Sequence, residues 1–114
     1  MSTNKVSALD GLIRQGDLLL VPVDALPEHT RNRTDGRRIV LAEGEATGHA
    51  HVIDDVRVEL RDSGWGGRRF IVVEEDATVS LEHDEHDTLT VSSGIYEVRI
   101  QREYTPRGFR QVRD

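Results

Sequence analysis

Four of the five histidines of this chain fall in two tight groups. His49 and His51 stand in Gly48-His49-Ala50-His51, and His83 and His86 in Leu81-Glu82-His83-Asp84-Glu85-His86. Imidazole nitrogen is a general ligand for zinc, iron and nickel, and a carboxylate completes mixed sites for iron, manganese or zinc. The pattern points to a divalent-metal site on His49, His51, His83 and His86, with Glu45 or Glu82 as the carboxylate. Alternation along a strand puts His49 and His51 on one face, about 7 Å apart by twice the rise per residue. Gly44 and Gly48 supply the freedom to bend them toward one ion. His83 and His86, three apart, would face opposite ways on a continuous strand, so both can serve only from a turn or a helical loop. The site therefore requires the two segments to lie side by side.

A lone His-x-His pair is common on exposed strands. What strengthens it here is the second cluster, set in the stretch Glu74 to Asp87, which holds seven carboxylates and no Lys or Arg. Such a run is ordinarily a solvated surface, but its field also favours a cation. Without a metal, the same residues offer a His with Glu or Asp as a general acid and base. His29, in Pro27-Glu28-His29-Thr30, reads as a solvated loop residue. The chain has no cysteine, which removes disulfides, thiolate metal sites and cysteine nucleophiles. Ser63, Ser80, Ser92 and Ser93 lack a nucleophile elbow. Gly64-Trp65-Gly66-Gly67 lacks the lysine and helix of a phosphate loop and reads as a hairpin tip presenting Trp65.

The elements that must carry these residues are strands. With 36% apolar residues and only five aromatics, the core must come from Val, Leu and Ile, whose β-branched share favours sheet. Apolar runs and period-two alternation predict strands at Asp17–Val23, Arg38–Glu43, His49–Ile53, Val56–Leu60, Arg69–Glu74, Thr78–Glu82, Thr88–Val91 and Ile95–Arg102. Turn residues separate them, with Ser92-Ser93-Gly94 read as one turn. The fold class is all-β, a single small β-barrel or sandwich of about seven to eight short strands. Residues 1–114 make one domain, 1–14 being a loose N-terminal arm and 104–114 a C-terminal tail.

The formal net charge of −6 divides into a local +3 over residues 99–114, with five Arg against two acids, and −9 over the rest. The overall acidity makes nucleic acid an unfavoured partner, although the tail with Arg31, Arg33, Arg37 and Arg38 would be its footprint. No apolar run is long enough to span a membrane, and a cytoplasmic location is the default. The strand Ile95–Arg102 or the N-terminal arm could pair with a second copy or a protein partner. A non-catalytic, self-assembling or interaction module without metal is thus the alternative to the metal reading.

Gly44, His49-Ala50-His51 and the later run Asp87 to Tyr96 resemble a degenerate small cupin, over roughly residues 37–100. In that family a glycine-led His-x-His strand and a later strand carrying a histidine surround one metal inside a β-barrel. Here Val52-Ile53-Asp54-Asp55 stands where the family has its acid, and Tyr96 stands near its last histidine. The chain is also similar to small bacterial and phage proteins with a Thr-Gly-His-x-His core and an Arg-Glu-Tyr-x-Pro ending, a likeness that implies no activity.

Overall fold

Strands make up most of the region that a computed structural model describes, residues 11–43, 49–64 and 67–101. The strands are β1 (Ile13–Gln15), β2 (Leu18–Val23), β3 (Thr30–Asn32), β4 (Arg38–Glu43), β5 (Ala50–Asp54), β6 (Val58–Ser63), β7 (Arg69–His83) and β8 (His86–Ile100). Among the described residues, no helix is long and apolar enough to cross a membrane. Every pairing is antiparallel, and the sheet runs β1-β2-β8-β7-β5-β4, with β6 joined to β7 and β3 joined to β6. The chain is therefore all-β, as its composition predicts. The path ends at β1 and β4, so the sheet does not close into a barrel.

Where the sequence predicts four short strands between Arg69 and Arg102, the chain builds two strands of 15 residues each. The polar interruptions are bends, not reversals. In β7 the pairing jumps from Val73 opposite Gly94 to Thr78 opposite Ser92, and Asp76 inside that bulge has φ of 67°. In β8 the bend falls at Gly94, with φ of 144°. Val91 is buried before it and Tyr96 and Val98 after it, so the inward-facing parity slips by one residue. The first part of β7 carries β6 on its free side and the last part carries β5, so one bent strand serves two wings of the sheet.

Those wings enclose one core. Leu18 and Leu20 of β2, Ile39 and Leu41 of β4, Ile53 of β5, Val58 of β6, Ile71 to Leu81 on the inner face of β7, and Val91, Tyr96 and Val98 of β8 form a single cluster. The Arg69 guanidinium donates to the Leu41 carbonyl, tying β7 to β4 across it. Two polar side chains are sealed at one end, Gln15 at 2% and His51 at 1% exposure.

Two expectations change. Ile13 and Arg14 are not a loose arm but part of β1, paired with Leu20 and Leu19 of β2; residues 1–10 lie outside the described residues. Within the strand expected to pair with another chain, Ile95–Val98 is flanked on both sides, by β2 and β7. The tail 104–114 and Trp65 fall outside the described residues, so no structure is assigned to them.

The bend in β8 depends on a backbone conformation that L side chains rarely adopt. Gly94→Ala is expected to lower stability by about 1–3 kcal/mol, seen as a lower urea midpoint with an unchanged m-value. An unaltered midpoint would show that the bend is not strained.

Candidate metal centre

The β7–β8 connection is the two-residue turn Asp84-Glu85, and His83 and His86 are the closing pair directly opposite one another. Cross-strand partners share a face. That resolves the spacing of three, which on a single strand would have split them: they sit on two strands of one hairpin, not in a loop. On the other side of β7, Val52 of β5 pairs with Glu82. One step along each antiparallel strand brings His51 beside His83, in the interior row that includes Ile53 and Leu81.

The result is a row of rings across three strands. The centroids of His51 and His83 are 4.3 Å apart, those of His83 and His86 4.6 Å and those of His51 and His86 6.0 Å. His49, just before β5, stands edge-on to His83 at 5.8 Å. Its Nδ1 is shielded from solvent without a hydrogen-bond partner, the Glu85 carboxylate lying 3.4 Å away. All four predicted histidines are thus brought together. Glu82 is not. It alternates away from the interior row of β7, into a groove lined also by Arg38, Ala50, Val52, Asp54 and His83. Glu45 lies outside the described residues, and His29 is an exposed loop residue.

Three consecutive residues that sequence reasoning passed over complete the cluster. Gln15, Gly16 and Asp17 form the end of β1 and the two-residue turn into β2. Gln15 Nε2 donates to the carbonyls of Leu81 at 3.0 Å and Asp87 at 2.9 Å. An amide nitrogen has two hydrogens, and both are spent on these oxygens. Oε1 is therefore left as an acceptor, and it lies 2.8 Å from His51 Nδ1. The Nδ1 of His51 must carry the hydrogen, which leaves the Nε2 lone pair pointing away from Gln15, with Asp17 Oδ1 at 3.6 Å. Gly16, with φ of 61°, makes room for the third ring. A Cβ there would stand 2.6 Å from His86 Nε2.

Burial is the largest influence on His51, and with the neighbouring His83 and His86 it pushes the imidazole below its ordinary value, against the opposing pull of Asp17. The ring is neutral at pH 7, as a ligand must be. Among the described residues, no group of three or more His, Asp or Glu is placed so that it could hold a metal ion as the side chains stand. Imidazoles sharing a tetrahedral ion through bonds of about 2.0–2.1 Å would have centroids roughly 5 Å apart, and the three ring separations here lie on either side of that value.

The depressed His51 sets a pH dependence. With its folded value below its unfolded value of 6.5, the unfolded chain binds the proton more readily, so stability is full above that value and falls as pH drops below it. In chelator-treated protein, the urea midpoint of the wild type is expected to fall between pH 7 and pH 5 more steeply than that of His51→Gln. Parallel profiles would contradict the buried, neutral assignment.

A comparison with curated proteins gave no match, and a comparison with solved structures gave none either. Residues 14–101, the stretch from the Gln15 strand through the end of β8, match the family model described as a domain of unknown function, DUF8820, and the chain belongs to that family.

Proposed function

We propose that the protein is a small metal-binding β domain whose ion is held by His51, His83 and His86, with His49 at the rim. The observation that carries this is the fixed tautomer of His51. A buried imidazole placed only for packing needs no particular nitrogen free. Here a glutamine whose amide is itself oriented by two carbonyls keeps the hydrogen on Nδ1 and leaves the Nε2 lone pair for a ligand role, on the side of Asp17. Metal-bound histidines characteristically donate their second N–H to such an oxygen partner, which fixes the tautomer and raises the basicity of the ligating nitrogen. An imidazole-rich set with carboxylates at its margin suits zinc, iron or nickel, and manganese less well. An ion there would polarise a bound water or a carbonyl group.

The alternative, a metal-free module assembling through strand edges, has less behind it. Among the described residues the terminal strands are β1 and β3, three residues each, and β4, which carries a register shift between Val40 and Ala42, while β8 before Ile95 pairs on the β7 side alone. Short and bulged edges resist pairing with another chain.

Untagged protein purified without chelator is expected to contain close to one ion per chain by elemental analysis. Adding zinc, iron, nickel or manganese to the stripped protein should raise Tm by several degrees through preferential binding to the folded state. His51→Ala with His83→Ala should abolish both. Metal content below about 0.1 per chain, with no Tm response to any of the four ions, would be incompatible with the linkage expected of a site.

A further inference from the structure

We propose that the β1–β2 turn belongs to the metal site in its own right, Asp17 supplying a carboxylate oxygen to the ion and Gln15 acting as the positioning residue that makes His51 bind through Nε2. This rests on reading the histidine cluster as a metal site.

The distance between Asp17 Oδ1 and His51 Nε2 is 3.6 Å. That is long for a hydrogen bond. Two donors on one tetrahedral ion, with bonds of about 2.0–2.1 Å, stand roughly 3.3 Å apart, so the pair has nearly the separation of two ligands across a shared ion. The turn also delivers Asp17 to the correct side. Gln15 pairs with Leu18 to close the hairpin, and Gln101 N donates to the Asp17 carbonyl at 2.7 Å, so the backbone on both sides of the carboxylate is held. The Asp17 side chain is about one-third exposed and faces a histidine that is nearly sealed. An acid placed there keeps one side of the ion open to water.

Each residue of the turn answers a different requirement. Gln15 sets the nitrogen, Gly16 clears the volume that the His86 ring fills, and Asp17 adds a negative charge to a set of neutral rings. One carboxylate beside three imidazoles lowers the charge of a dication by one unit and strengthens its hold relative to imidazoles alone. The turn docks on the β7–β8 hairpin through the two Gln15 hydrogen bonds, so an ion bound by Asp17, His51, His83 and His86 would join the β1–β2 turn, β5, β7 and β8 at a single point.

Two measurements separate the parts. In metal-free protein, long-range proton–nitrogen NMR correlations should show His51 as the Nδ1–H tautomer, and Gln15→Leu should lose that preference. An Nε2–H tautomer in the wild type would overturn the role of Gln15 whether or not any metal binds. Cobalt(II), titrated into stripped protein and followed by its visible absorption, should bind Asp17→Asn and Gln15→Leu about 10- to 100-fold more weakly than wild type. Gln15→Glu keeps an acceptor for Nδ1–H but loses the donors to Leu81 and Asp87. It should retain the tautomer and most of the cobalt affinity while unfolding at a lower urea concentration. Cobalt affinity that tracks stability across the three variants would reduce Gln15 to a structural role, and wild-type affinity in Asp17→Asn would remove Asp17 from the ion. If the wild type binds no cobalt, the metal reading falls together with the Asp17 assignment, and the NMR result still decides Gln15.

Discussion

The buried amide of Gln15 is the contact on which the arrangement turns. It donates to Leu81 on β7 and Asp87 on β8 and accepts from His51 on β5. Strands β1, β5 and the β7–β8 hairpin, distant from one another in sequence, meet through one side chain, and every hydrogen-bonding atom of its amide is used except one lone pair. A buried polar network of this kind is stabilising only when complete. An unmet donor or acceptor at such depth costs about 1–3 kcal/mol, more than a satisfied bond contributes. The network therefore does more to select one geometry than to add stability, and the geometry it selects leaves the Nε2 lone pair of His51 on the side of Asp17, with two other imidazoles packed against the ring.

The bent β7–β8 ribbon makes this geometry reachable. A strand of 15 residues with a bulge at its centre can serve as neighbour to β6 at one end and β5 at the other. Its terminal hairpin then hangs over the end of the core, where Leu81 is the last buried aliphatic residue and His83 the first ring. The tip is acidic, with Asp84, Glu85 and Asp87 around the two histidines, and these charges add to the attraction for a cation without being buried themselves. Across the sheet, Arg68 and Arg99 hold the nearly buried Glu97 and depress its carboxyl, with Arg68 also lying 5.1 Å over the Phe70 ring.

The histidines themselves were legible. His49 and His51 share a face because alternation along an extended chain demands it, and the required adjacency of the two histidine segments follows once β5 and β7 pair. The turn at Asp84-Glu85 was harder to read. A spacing of three suits a two-residue hairpin as well as a loop, and only pairing between strands distinguishes them. The length of β7 and β8 was illegible for a similar reason. Glu74-Glu75-Asp76 and Ser92-Ser93-Gly94 have the composition of turns, yet an exposed bulge and a glycine bend draw on the same polar and flexible residues.

Gln15 and Asp17 were missed on chemical grounds. Glutamine is not a customary metal ligand, and Gln15 is 36 positions from His51, so no local pattern joins them. A usable signal was present in Leu12-Ile13 and Leu18-Leu19-Leu20 flanking Gly16-Asp17, a two-residue connection of hairpin type. Read that way, the supposed arm becomes a strand and an acid is carried into the sheet. Crystals of the full chain grown with zinc, with diffraction recorded on both sides of the zinc absorption edge, would test the central claim most directly. The account expects one anomalous peak bonded to His51 Nε2 and shared with His83, His86 and Asp17. A peak at His51 Nδ1, or none at the histidine cluster in zinc-saturated crystals, would contradict it.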